Sequence, residues 1–163
     1  MLDRRQFLRT TAAGIALGSL PRTFAADEKS NEFAGFTVGV QSYSFRNFNL
    51  EQTLERIRDL GLRHVEFYNR HVPLNTSEEQ MRAVLALCRR YEITPIAFGV
   101  EGFTRDHDAN RRKFEFARAL GVRTLSADPD PDSFDSLDRL VAEFNISIAI
   151  HPHGPVGNNR LHR

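Results

Sequence analysis

Residues 94–101 read TPIAFGVE, and the alternation of their side chains between two chemically different faces decides the fold class. One face is apolar and the other is small or polar: Ile96, Phe98 and Val100 against Ala97, Gly99 and Glu101. This period of two over a short β-prone run predicts a strand. Central strands of an open sheet with helices on both faces would be apolar throughout. The stretch therefore predicts a strand whose apolar face alone lies under helices.

The same alternation recurs in four other short runs. We predict strands over 37–45, 64–69, 94–101, 123–128 and 146–151. The apolar faces are Val38/Val40, Val65/Phe67, Ile96/Phe98/Val100, Leu125/Ala127 and Ile148/Ile150. The opposite faces become more polar toward the C-terminal end of each strand. This pattern predicts an inner face that opens onto a site where Glu66, Glu101, Asp128, His151 and His153 converge.

Four segments of helical period lie between the predicted strands. The first is expected to start at Asn49, with Gln52 in capping-box spacing, and to stop at Gly61. The second is expected to start at Ser77, with Gln80 in the same spacing. The third and fourth are predicted from about Asp108 to Gly121 and from about Ser133 to Phe144, each with one apolar stripe.

Strands that alternate with helices predict a parallel sheet of repeated βα units. The similar stretches LGLR at 60–63 and LGVR at 120–123 support a repeat of this kind. We therefore predict an α/β fold, a partial (β/α) TIM barrel with about five of eight strands and four of eight helices. A complete barrel needs about 250 residues, so we expect this chain of 163 residues to end before the barrel closes.

The N-terminal segment is predicted to be an export signal rather than part of the fold. Arg4 and Arg5 open the stretch RRQFL, which resembles a twin-arginine signal, and an apolar run over 12–20 follows. Small residues near Ala26 predict a cleavage site. We therefore divide the chain into a signal over 1–26 and a barrel segment over 36–163. We expect export to the periplasm, with transient membrane contact through the signal.

Composition excludes some classes of partner and chemistry. Removing Arg4, Arg5, Arg9 and Arg22 from 22 basic residues, and Asp3 from 21 acidic ones, leaves 18 against 20. A near-neutral chain without a basic stripe argues against nucleic acid as a partner. Cys88 is the only cysteine, so an internal disulfide is excluded, and its place on an apolar helix face predicts a small buried side chain.

Three stretches together resemble the xylose isomerase-like sugar phosphate isomerase/epimerase family. They are GVQSYSFR at 39–46, VEFY at 65–68 and IAIHPHGP at 148–155. The resemblance implies a small sugar or polyol substrate, isomerised or epimerised through an enediolate at the barrel mouth. It also implies a divalent metal, for which mixed Asp, Glu and His ligands suit Mn, Mg, Co or Zn. The family's later strands carry further ligands and a second carboxylate, so an incomplete site and no turnover are expected of this chain alone.

Site residues are assigned on the predicted inner face. His151, His153 and Asp128 are candidate metal ligands, Glu66 and Glu101 candidate acid/base groups, and Gln41 and Tyr43 candidate substrate contacts. Each has a structural alternative: a histidine bonded to a backbone carbonyl at a loop start, a solvated carboxylate at a strand end, or a side chain packed in the barrel. The other histidines are expected at the surface: His64, His71, His107 and His162.

Two other functions fit parts of the pattern. An endonuclease IV-like zinc phosphodiesterase shares the barrel type, but the near-neutral charge and the export signal argue against it. A non-enzymatic flavodoxin-like binding module would need a phosphate-binding loop after the first strand, and residues 42–49 contain no glycine. A partial barrel also exposes strand edges, which invite self-association.

Overall fold

Five parallel strands form one sheet whose spatial order is the order of the chain. The structure is a computed structural model and describes residues 33–152. The strands are β1 Gly39–Gln41, β2 His64–Phe67, β3 Thr94–Phe103, β4 Thr124–Pro129 and β5 Ser147–Ile150. Each strand pairs in parallel with the next one in the chain. This sequential order confirms the predicted partial barrel, since a doubly wound sheet reverses its strand order at a switch point.

Within residues 33–152, four α-helices connect the strands. They are α1 Leu50–Asp59, α2 Glu78–Arg90, α3 His107–Leu120 and α4 Phe134–Phe144. The capping boxes predicted for Asn49 with Gln52 and for Ser77 with Gln80 are both present. Helix α3 begins slightly earlier than predicted, because the Asp106 carboxylate accepts a hydrogen bond from the Ala109 N–H at 3.0 Å. No helix within 33–152 is long and apolar enough to cross a membrane.

The main core lies between the helices and the outer face of the sheet. Its central strand residues are fully buried, as the alternation predicts: Val65, Phe67, Phe98, Leu125 and Ala127. Cys88 on α2 is buried in the same core, which confirms its prediction as a small apolar side chain. Burial raises the pKa of its thiol to about 11. The thiol is therefore protonated and unreactive at neutral pH.

Strand β1 is shorter than predicted. It ends at Gln41, and Ser42–Phe45 form a 3₁₀ turn closed by the bond from Arg46 N–H to the Tyr43 carbonyl. The reason is a contact with the next strand. The buried Ser42 hydroxyl accepts the Tyr68 N–H at 3.1 Å, which ties the chain to the end of β2.

Strand β3 departs twice from simple alternation. Pro95 pairs with Val65 and Ala97 with Glu66, so Ile96 is an extra residue. Its side chain is 37% exposed, and its predicted place in the core is wrong.

The second irregularity inverts the faces of the rest of β3. Phe98 pairs with Leu125 and Glu101 with Ala127, so Gly99 and Val100 together lie opposite the single residue Ser126. An extra residue in one strand shifts every later side chain to the other face. Val100 therefore lies on the inner face and Glu101 on the helix-covered face, opposite to the prediction for both.

The outer strands β1 and β5 each pair with one neighbour within the described residues, so the sheet has two free edges there. Ile150 on β5 is 44% exposed. The twin-arginine segment and His153 lie outside the described residues, so the structure does not bear on either prediction.

Candidate functional site

A cavity of about 410 Å³ lies at the C-terminal edge of the sheet, on its inner face. The described residues that line it come from or follow β1, β2, β3 and β5: Gln41, Tyr43, Tyr68, Asn69, Gly99, Val100 and His151. Three of the predicted site residues, Gln41, Tyr43 and His151, therefore lie around one space. Sites in (β/α) barrels are found at this edge. Tyr68 also lines the cavity. It follows Glu66 by two residues in the stretch VEFY, so the alternation puts it on the inner face, but it is not among the predicted site residues.

Gln41 and Glu66 form the polar floor beside this cavity. They are register partners on β1 and β2, so their side chains lie on the same face. The Gln41 side-chain amide donates to the Glu66 carboxylate at 3.0 Å. This bond holds a half-buried carboxylate in one orientation next to the space that a ligand would occupy.

Two tyrosines make an aromatic wall. The rings of Tyr43 and Tyr68 meet edge to face, with centroids 5.4 Å apart and planes at 89°. Tyr43 is half exposed, and the Arg46 guanidinium lies 4.8 Å from its ring centroid. Aromatic faces of this kind pack against the C–H groups of small ligands. The Arg46 guanidinium stabilises the position of the Tyr43 ring through a cation–π contact.

His71 supports this wall from behind. Its ring meets the Tyr68 ring edge to face at 4.7 Å, and its Nε2 lies 3.0 Å from the Phe48 carbonyl oxygen and 3.3 Å from the Thr53 hydroxyl. A carbonyl only accepts, so Nε2 carries a proton.

The environment of His71 favours its neutral form. Desolvation lowers the pKa of the ring, with a smaller lowering from Arg70, and the bond to Phe48 opposes both. His71 is half-buried rather than fully at the surface as expected, because Phe48 and Thr53, distant in sequence, contact its ring.

Asp128 and His151 lie side by side at the ends of β4 and β5. Ala127 pairs with Ile150, and the His151 N–H donates to the Ala127 carbonyl at 2.8 Å, so the next residues on both strands share the inner face. The Asp128 Oδ1 is buried and has no hydrogen-bond partner among the described residues. The two side chains supply an oxygen and a nitrogen donor of the kinds that divalent metals bind.

These donors do not make a complete metal site. Within 33–152, no group of three or more His, Cys, Asp or Glu side chains is arranged to hold a metal ion. Zinc sites usually take at least three protein ligands. With two donors, Asp128 and His151 are not by themselves a complete site for the metal that the resemblance implies.

The structure does not bring Glu101 to the cavity. Because of the extra residue in β3, its carboxylate is directed toward α3, where Oε2 lies 3.4 Å from the Lys113 Nζ. Lys113 also donates to the Gly102 carbonyl. Glu101 is only 6% exposed. The predicted inner-face position of Glu101 is wrong, and an ion pair under a helix takes its place.

No protein-family model matches the sequence, and no curated protein matches it. Solved structures do. An uncharacterised protein of Parabacteroides distasonis is 24% identical, with a TM-score of 0.65 over 72% of this chain and 53% of its own. A xylose isomerase domain-containing protein of Salmonella typhimurium is 16% identical, with a TM-score of 0.55 over 71% of this chain and 49% of its own.

A xylose isomerase domain protein of Alicyclobacillus acidocaldarius is 14% identical, with a TM-score of 0.56 over 77% of this chain and 52% of its own. This chain thus spans about half the length of the solved structures that it matches. At these identities the likeness concerns the fold. The described chain has the fold of part of a xylose isomerase-like (β/α) barrel, with five parallel strands and four helices.

Proposed function

We propose that this chain carries part of the sugar-binding site of a sugar isomerase or epimerase, and that it binds a small sugar in the cavity at the C-terminal edge of its sheet. The observation that carries the proposal is the Gln41–Glu66 pair, which holds a carboxylate beside an aromatic-walled cavity. Amide, carboxylate and phenol groups around an aromatic face suit a ligand with many hydroxyls and apolar C–H faces.

The reaction proposed for the complete site is aldose–ketose or epimer interconversion. Such a reaction removes a proton from a carbon next to a carbonyl to give an enediolate. Aldose–ketose isomerisation returns the proton to the neighbouring carbon, and epimerisation returns it to the same carbon from the opposite face. Glu66 is the carboxylate that accepts a hydrogen bond from the cavity-lining Gln41, and we assign it to accept or hold that proton. Gln41 orients the Glu66 carboxylate through its hydrogen bond, so a shift of Gln41 would misplace the base.

The second half of the chemistry is missing from the described residues. Among the described residues, Asp128 is the other predicted carboxylate on the inner face, and with His151 alone it does not complete a metal site. We therefore expect this chain by itself to bind sugar without measurable turnover.

Sugar binding tests the proposal directly. Saturation-transfer NMR with D-xylose and D-xylose 5-phosphate should show contact with the wild-type chain, and Gln41→Met should weaken that signal. Gln80→Met is the matched control, because Gln80 lies at the start of α2 outside the cavity. Absence of saturation transfer from the wild-type chain at high millimolar sugar would reject the proposed function.

The free edges of the sheet support a separate proposal about assembly. β1 and β5 present unpaired backbone groups among the described residues, and Ile150 is partly exposed on the outer edge. Unpaired edges of this kind template pairing with another strand. We expect the chain to self-associate, which light scattering after size-exclusion chromatography would detect as a mass above 18.6 kDa.

A further inference from the structure

Tyr68 combines deep burial with a hydroxyl that bonds to no described protein group. The side chain lines the cavity, the residue is 8% exposed, and its phenol oxygen is buried without a hydrogen-bond partner. Buried hydroxyls are almost always hydrogen-bonded, because desolvating one without a partner costs stability. Because Tyr68 lines the cavity, a ligand bound there is the candidate partner for this hydroxyl.

The ring of Tyr68 is packed against two other rings, and its backbone is anchored as well. Tyr43 packs against it edge to face at 5.4 Å, and His71 does the same at 4.7 Å. Its backbone N–H is bound by the Ser42 hydroxyl. The phenol therefore cannot swing away to find a partner without disturbing the aromatic wall.

His71 does not supply the missing bond. Its Nδ1 is also buried and without a partner, so the two unsatisfied groups do not bond to each other. The His71 Nε2 is already engaged with Phe48 and Thr53. The contact between the two rings is thus one of packing, and it orients the Tyr68 hydroxyl without satisfying it.

We infer that Tyr68 is a ligand-binding residue whose hydroxyl exchanges a hydrogen bond with a polar oxygen of the molecule in the cavity. This inference rests on the proposed function and deepens it. The ligand must present a hydroxyl or carbonyl oxygen to Tyr68 and a C–H face to the half-exposed ring of Tyr43. A polyol meets both requirements, because its hydroxyls and C–H groups alternate along one chain.

Tyr68→Phe removes the hydroxyl and keeps both ring contacts. We expect D-xylose to bind about tenfold more weakly, the loss typical of one hydrogen bond to a ligand. We also expect the thermal midpoint of unfolding to stay the same or rise, because an unsatisfied buried group is removed. If the Tyr68 hydroxyl had a structural role instead, Tyr68→Phe would bind D-xylose as the wild type does and would melt at a lower temperature.

Tyr91→Phe is the matched control. The Tyr91 hydroxyl donates to the Glu51 carboxylate at 3.1 Å, away from the cavity. This variant should bind D-xylose as the wild type does. Saturation-transfer titration gives the affinities, and a circular dichroism melt gives the midpoints.

The outcomes separate the two proposals. If the wild type binds and Tyr68→Phe binds equally well, the inference is wrong while the proposed function stands. If Tyr68→Phe melts several degrees lower, the hydroxyl has a protein partner and the inference is also wrong. If the wild type does not bind D-xylose, the proposed function is rejected, and the inference that rests on it is rejected as well.

Discussion

The Glu101 carboxylate lies 3.4 Å from the Lys113 ammonium, on the side of the sheet that the helices cover. The side chain of Glu101 is almost fully buried, and that of Lys113 is 21% exposed. One Glu101 oxygen has no hydrogen-bond partner among the described residues, so Lys113 is the main group that compensates the buried charge. This pair joins β3 to α3.

Lys113→Met is expected to destabilise the fold, because it leaves the Glu101 charge buried and unpaired. The loss should be about 3 kcal/mol, the lower end of the range for a broken buried pair. Adding Glu101→Gln should recover much of that loss. Urea unfolding followed by circular dichroism measures both variants.

The exposed pair between Arg82 and Glu78, with an N···O distance of 3.8 Å, supplies the control for Lys113. Surface pairs contribute little, so Arg82→Met should leave the free energy of unfolding nearly unchanged. Equal effects of Lys113→Met and Arg82→Met would show that the Lys113 pair is not buried as described.

Glu66→Gln and Glu101→Gln are expected to differ in their effect on sugar binding. Glu66 accepts the Gln41 amide beside the cavity, whereas Glu101 lies on the opposite face of the sheet. Glu66→Gln should therefore weaken D-xylose binding, by about tenfold if one charge-assisted hydrogen bond is lost. Glu101→Gln should leave the affinity unchanged under conditions where the chain is folded. The reverse result would place Glu101 in the cavity.

Gly99→Ala tests the irregular pairing of β3. A Cβ at this position would lie 2.4 Å from the Ser126 carbonyl oxygen and 2.8 Å from the Ser126 Cβ. To relieve this clash, β3 must shift against β4, and this shift should lower the free energy of unfolding by about 3 kcal/mol.

Gly121→Ala is the comparison for Gly99→Ala. Gly121 caps α3 at φ +81, and no atom lies near the position of an added Cβ. The substitution should therefore lower the free energy of unfolding by only about 1 kcal/mol, because alanine disfavours the left-handed backbone. The midpoints of urea unfolding show which of the two variants loses more stability. A smaller loss for Gly99→Ala than for Gly121→Ala would contradict the close approach of β3 to β4.

The stability of the fold should depend on pH through His71. Its pKa is lowered in the folded chain, chiefly by desolvation, so the unfolded chain binds the proton more readily. The contribution of the neutral His71 ring to the free energy of unfolding is complete above the ordinary histidine pKa near 6.5. It declines as the pH falls below that value and through the lowered pKa of the folded state.

Unfolding in urea at pH 8.0 and at pH 5.5 measures this dependence. The wild type should lose more stability between the two pH values than His71→Gln, which has no titrating ring. Equal losses in the two proteins would show that His71 titrates alike in the folded and unfolded chains.

Export should depend on the arginine pair of the N-terminal segment. Replacing Arg4 and Arg5 together by lysine keeps the charge but removes the pair that the twin-arginine signal requires. We expect the full-length precursor to accumulate in the cytoplasm of a bacterial host that has this pathway. Cell fractionation and immunoblotting measure the distribution, and Arg9→Lys serves as the control. Unchanged export of the double variant would contradict the assignment of the signal.

Much of the fold could be predicted because its signals are local. The capping boxes at Asn49 and Ser77 each involve residues three positions apart, so sequence spacing alone predicts them. The buried outer residues of β2 and β4, such as Val65 and Leu125, follow from a period of two within one regular strand. Gln41 and Glu66 were placed on the inner face by the same period, and the structure adds their hydrogen bond.

Glu101 and Tyr68 needed the tertiary structure. The face of Glu101 depends on how many residues of β3 lie opposite one residue of β4, and pairing with another strand decides that number. Tyr68 is oriented by Ser42, 26 residues earlier, and by His71, whose ring is held by the loop between β1 and α1.

The sequence by itself determined the order of strands and helices, the helix caps and the apolar faces, because each arises from neighbouring residues. Only the tertiary structure decided which polar groups surround the cavity. Strand register and loop contacts are set by packing between distant segments, and a shift of one residue moves a side chain through the sheet to its other face.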